Sequence, residues 1–196
     1  MASLHGALKR SFYRRSALEV APDLLGKLLC HLKDGVLTSG RIVEVEAYLG
    51  AKDPASHAYR GPTQHNRAMF GPAGRAYIYF TYGNHFCMNV VTGEEGVASA
   101  VLIRALAPHE GIEVMKRRRD GRPVTGLASG PGKLTAALGI DRRLYGHDLT
   151  RKPLWIRDDG EAPARWVRTP RIGIRQAADR LYRFVVAGSP FASRKA

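Results

Sequence analysis

The segment Arg41-Ile-Val-Glu-Val-Glu-Ala-Tyr-Leu-Gly50 limits what this chain can become more than any other. Its alternation predicts a strand with Val43, Val45, Ala47 and Leu49 on one face and Ile42, Glu44, Glu46 and Tyr48 on the other. A structural strand seldom lines one face with two carboxylates and an aromatic ring unless that face meets water or a ligand. A solvated outer face is the plain alternative. The rest of the chain decides between them.

With 196 residues and 44% apolar content, the chain suits one packed domain spanning residues 1–196. No apolar run reaches the length of a membrane span, and no secretory apolar region follows Lys9 and Arg10. A soluble intracellular protein is expected: cytoplasmic and nucleoid-associated in a bacterium, nuclear in a eukaryote. Lys and Arg number 31 against 17 Asp and Glu, a net charge of +14. That excess favours a polyanionic partner, with nucleic acid ahead of a membrane surface because no basic amphipathic helix with an aromatic face stands out. Cys30 and Cys87 are the only cysteines and lack CxxC spacing, which excludes a disulfide framework and a four-cysteine metal site.

Leucines at roughly helical spacing predict a helix within residues 17–33, with Ala21-Pro22-Asp23 as a start. Residues 35–48 read as strand, and residues 50–75, rich in Gly, Pro, Asn, His and Arg, as a long functional loop. Two β-rich runs, 75–82 and 85–91, flank Gly83-Asn84 and predict a hairpin. A strand over 98–106, helices over 109–119 and 133–138, and strands at 153–156, 170–174 and 182–187 complete one mixed α and β domain. The basic run Lys116–Arg119 reads as a solvated helix end.

Tyr82 falls at the hairpin tip, where a basic protein has a use for an aromatic wedge at the gap left by an extruded nucleotide. Tyr77 and Tyr79, on the other face of that strand, suit stacking on a base, worth about 1–3 kcal/mol. The carboxylates then gain a purpose. Breaking an N-glycosidic bond develops positive charge on the sugar, which a carboxylate stabilises while it deprotonates the attacking water. One carboxylate suffices for a base that is already cationic; a neutral base such as hypoxanthine also needs a proton.

These residues sit within blocks that resemble the alkyladenine (3-methyladenine) DNA glycosylase family. The blocks are Arg41–Gly50, His57, Asn66–Phe70, Tyr77–Gly83, Phe86–Asn89, Leu102–Leu106, Ser129–Leu134 and Arg171–Gly173, in the family's order across nearly the whole chain. The resemblance implies a curved, mostly antiparallel sheet flanked by helices, an α+β fold whose protruding hairpin enters the DNA minor groove. It implies a monofunctional glycosylase, without cofactor or metal, that flips alkylated or deaminated purines and leaves an abasic site. The substrates implied are 3-methyladenine, 7-methylguanine, hypoxanthine and etheno-adenine. Glu46 would be the general base, with Arg104 and the Ile172 carbonyl holding its water. Tyr48, His57 and Tyr79 would sandwich the base, and Asn89 would guard the pocket against guanine. Tyr82 would intercalate, and Met69 would approach the opposite strand. Glu44, two residues from Glu46 on the same face, reads as a supporting group or as a solvated one.

A two-residue turn at Gly83-Asn84 would put Tyr79 and Asn89 on opposite faces, so a three-residue loop, Gly83-Asn84-His85, or a bulge is expected instead. Double-stranded DNA with damaged purines is the expected partner, no membrane is, and the chain is expected to act as a monomer. A non-catalytic damaged-DNA or RNA binding module is the alternative; only the Glu46, Arg104 and Ile172 water site separates the two.

Overall fold

The computed structural model describes residues 6–81 and 83–195. In chain order the elements are α1 (Arg10–Tyr13), α2 (Ala17–Leu24), β1 (Leu28–Lys33), β2 (Val36–Tyr48), β3 (Ala76–Thr81), β4 (His85–Thr92) and β5 (Ser99–Glu110). There follow α3 (Ile112–Arg118), α4 (Val124–Leu127), α5 (Pro131–Leu138), β6 (Leu154–Arg157), β7 (Trp166–Thr169) and β8 (Arg183–Val186). The strands form one eight-stranded sheet in the order β3-β4-β5-β2-β1-β6, with β8 joined to β2 and β7 to β8. Every pairing is antiparallel. Among the described residues no helix is long and apolar enough to cross a membrane.

The thirteen-residue β2 organises the sheet. One edge pairs with β5; the other pairs with β1 over Val36–Arg41 and then with β8 over Glu44–Glu46. Its strict alternation fails at one point. Ile42 lies opposite Leu106 and Glu44 opposite Ala105, so Val43 is an extra residue in β2. Val45 then faces Ile103, so Arg104 is an extra residue in β5. A bulge reverses which side chains face the core. Ile42 therefore packs in the main core with Val45 and Ala47, instead of sharing the face of Glu44 and Glu46. The two bulges cancel in register and bring Glu44, Glu46 and Arg104 together.

The helix expected across 17–33 ends at Leu24. It starts at Ser16, not at Ala21: Glu19 and Ser16 form a capping box, the Glu19 carboxylate accepting from the Ser16 amide at 3.1 Å. Gly26, at φ +87°, turns the chain into β1. Leu29 of β1 enters the main core while Leu28 and Cys30 pack with Trp155 on the other side of the sheet. A strand buried on both faces reads as a continuous apolar run, which is why spacing alone suggested a helix.

In the hairpin, Thr81 lies opposite His85, so three residues separate the paired ends, one position earlier than expected. Tyr79 faces Cys87, Tyr77 faces Asn89, and all four share one face. Helix α5 braces β4 through the Thr135 hydroxyl, which donates to the Phe86 carbonyl at 2.8 Å. The strand expected at 170–174 is instead an irregular segment after β7, and His109 and Glu110 extend β5 instead of beginning α3.

Candidate active site

Glu46 is fully buried, and three donors fix its carboxylate. The Ile172 amide donates to Oε1 at 2.7 Å and the Tyr48 hydroxyl to Oε2 at 2.9 Å. Arg104 places Nη1 3.3 Å from Oε2. Burial, reinforced by the Glu46 carboxylate, pushes the Tyr48 phenol well above its ordinary range, so it stays protonated and donates. Arg104 is tied on its other side to Glu44, Nε donating to Oε1 at 3.0 Å. Burial works against the Arg104 charge, but the Glu46 and Glu44 carboxylates outweigh it and raise its pKa.

Glu44 is equally buried and, like Glu46, is not itself part of the cavity wall. It also accepts from Arg183 Nε at 2.7 Å, from the Ser193 hydroxyl at 2.7 Å and from the Ser193 amide at 2.6 Å. Burial alone would raise its pKa; the bonds from Arg183 and Ser193, with the Arg183 charge, outweigh that and hold it below the ordinary value. The set Glu44, Glu46, Arg104 and Arg183 is thus balanced in charge and densely hydrogen-bonded, the condition under which buried ions are tolerated.

Beside this cluster lies a cavity of about 390 Å³. Tyr48, His57, Tyr77, Tyr79, Cys87, Asn89, Arg104 and Ile172 are among its walls. The His57 and Tyr79 rings meet edge to face at 4.5 Å, and His57 Nδ1 shares a 2.8 Å hydrogen bond with the Tyr77 hydroxyl. Burial lowers the His57 pKa, so the ring is neutral near pH 7. Asn89 is buried at the cavity wall, its Nδ2 donating to the Tyr77 carbonyl at 3.1 Å. The fold thus gathers Tyr48, His57, Tyr79, Asn89, Arg104 and Ile172 around one cavity, with Glu46 immediately behind Tyr48, Arg104 and Ile172.

Two expectations fare differently. Met69 is 3% exposed and packs with Ala58, Tyr77 and Val91 while lining the cavity. So enclosed a side chain offers little surface to an opposite DNA strand. Tyr82, the expected intercalating residue, lies outside the described residues. Among the described residues, no three His, Cys, Asp or Glu side chains come together as a metal site.

Spacing in the sequence did not reveal the supports of the site. Arg171, buried, donates from Nη2 to Asp53 Oδ1 at 2.8 Å and from Nη1 to the Ala47 carbonyl at 3.0 Å. Its guanidinium carbon stands 4.6 Å from the Tyr48 ring centroid. This pair ties the loop after β2 to the segment that presents the Ile172 amide to Glu46. Asp53 and Arg171 are 118 positions apart, and no local pattern connects them.

The chain matches the family model described as Methylpurine-DNA glycosylase (MPG) over residues 11–190. A protein from Methanoculleus marisnigri is 52% identical over 192 residues, covering 96% of this chain and 99% of its own length. One from Chlorobaculum parvum is 49% identical over 188 residues, 95% of this chain and 90% of its own. A third, from Carboxydothermus hydrogenoformans, is 50% identical over 190 residues, 96% and 99% of the two chains. Each is named "Putative 3-methyladenine DNA glycosylase". The family match takes in every element from α2 to β8 and all the residues that hold Glu46 in place, and the chain therefore belongs to the methylpurine-DNA glycosylase family.

Proposed function

We propose that this DNA glycosylase, acting as a monomer, extrudes an alkylated purine such as 3-methyladenine from duplex DNA into the cavity and hydrolyses its N-glycosidic bond. The observation that carries the reading is the fully buried Glu46 carboxylate, oriented by Tyr48, Ile172 and Arg104 beside an aromatic cavity. A pocket that only bound a base would have no need of a buried charge, whose desolvation is costly. That favours catalysis over a binding module.

In this mechanism Tyr48 stacks on one face of the purine, and His57 and Tyr79 meet the other. A neutral His57 avoids repelling a cationic alkylpurine. Asn89 meets the base edge and discriminates against the exocyclic amine of guanine. A water enters beside Glu46 by displacing one of its present donors, and Arg104 and the Ile172 carbonyl orient it. As the C1′–N bond breaks, its electron pair passes to the purine, neutralising a cationic base. The water oxygen bonds C1′, and Glu46 takes the proton. Hypoxanthine and etheno-adenine, uncharged, need protonation as they leave and are released more slowly than 3-methyladenine or 7-methylguanine. Tyr82, from its place in the sequence, fills the gap left in the duplex.

Base release from duplex DNA carrying a single alkylated purine tests the reading. Glu46→Gln keeps the size and shape of the side chain while removing the base. It is expected to bind damaged DNA and to lower release by at least about 100-fold, the lower end of general-base contributions. Release by the variant at the wild-type rate would remove Glu46 from its role.

A further inference from the structure

Two arginines line the cavity, and they are placed very differently. Arg104 is committed to Glu44 and Glu46. Arg194 is exposed, and among the described residues its side chain makes no hydrogen bond or ion pair. Its backbone, by contrast, is pinned. Glu44 accepts from the Ser193 amide at 2.6 Å and the Ser193 hydroxyl at 2.7 Å, and Arg183 Nη2 donates to the Arg194 carbonyl at 2.7 Å. The buried carboxylate that braces Arg104 therefore also anchors the strap that carries Arg194. A cation on an anchored backbone, facing a cavity and spent on nothing within the chain, is placed to meet an anion that arrives with a ligand.

An extruded nucleotide brings such an anion. Its sugar stays joined to two phosphodiesters, and with C1′ against the Glu46 and Arg104 cluster, those phosphates lie at the cavity mouth. A guanidinium suits them in charge and in its forked donors. We infer that Arg194 binds a phosphodiester adjoining the flipped nucleotide. It thereby holds the extruded state instead of adding to general attraction for DNA. The inference rests on the base-flipping reading above. Arg194 lies past residue 190, where the family match ends.

The test uses the full chain in the Glu46→Gln background, so that bound DNA is not consumed. Affinity is titrated against salt for a duplex with one etheno-adenine and for the same duplex undamaged. Adding Arg194→Gln is expected to make the log–log salt slope shallower by about 0.9 on the damaged duplex, the signature of one lost phosphate contact. The slope on undamaged DNA stays the same, and Arg194→Lys recovers it on damaged DNA. An unchanged slope on damaged DNA overturns the inference. So does an equal loss on both duplexes, which would make Arg194 a general surface contact, or loss of affinity without a slope change, which would make it a reader of the base. Etheno-adenine fluorescence, sensitive to stacking, reports extrusion in the same titration. Failure of flipping is thus distinguishable from failure of the Arg194 assignment.

Discussion

Glu44 and Glu46 share a strand face and chemical identity, yet their surroundings give them separate tasks. Glu44 is saturated by Arg104, Arg183 and Ser193, of which only Arg104 lines the cavity. Glu46 sits directly behind cavity-lining residues. Alternation in the sequence placed both on one face and could not rank them; the ranking lies in Arg183 and Ser193, more than a hundred residues away. Removing the Glu44 charge leaves Arg183 and Arg104 buried without it. Glu44→Gln is therefore expected to cost about 3–5 kcal/mol of stability, read by urea unfolding. A variant as stable as wild type would show that the cluster does not depend on this charge.

The pH dependence of stability follows from the same residues. Glu44 and Asp53 are held below their ordinary values of 4.5 and 3.8, in each case because bonds to arginine outweigh burial. Their folded-state pKa values are depressed, so their stabilisation is complete above those ordinary values and is lost as pH falls through the lower folded values. His31 and His57 are lowered from 6.5 by burial. The folded state binds fewer of their protons than the unfolded one, so a first loss begins as pH falls below 6.5. Thermal unfolding across pH should show both phases, and Glu44→Gln should flatten the acidic one.

At the level of elements, local patterns found β3, β4 and β5 and missed β1. The hairpin was legible because its two β-rich runs flank turn residues, although its register was off by one position. The strand β1 was not, because leucines on both faces of a sheet mimic helical spacing. The paired bulges at Val43 and Arg104 were invisible too, since a bulge is fixed by what lies across the ladder and not by the residue that makes it. Gly132 offers a test of how α5 sets the hairpin. A Cβ there would come within 2.8 Å of His85 Cγ and 2.9 Å of His85 Cβ, near the root of that side chain. Gly132→Ala should displace the end of β4 and weaken binding to duplex DNA several-fold while the aromatic cavity stays intact. Unaltered affinity would show that the hairpin yields freely.

For the whole molecule, the net charge of +14 predicts DNA affinity that falls linearly in log–log form with salt, by about 0.9 for each phosphate neutralised. A flat salt response would mean that the charge serves solubility alone. Sheet and hairpin were foreshadowed by the order of blocks from Arg41 to Gly173. What stayed hidden were the long-range clasps, Asp53 with Arg171 and Glu44 with Ser193, because an ion pair leaves no periodicity in the chain. These clasps turn part of an alternating strand into a set of buried, oriented carboxylates.

The measurement that tests this most directly is single-turnover release of 3-methyladenine and of hypoxanthine from duplex DNA, wild type against Glu46→Gln. The account predicts release of both bases by wild type, faster for the cationic one, and binding without release by the variant. Equal rates in the two proteins would contradict Glu46 as the base, and binding without release by wild type would contradict catalysis itself.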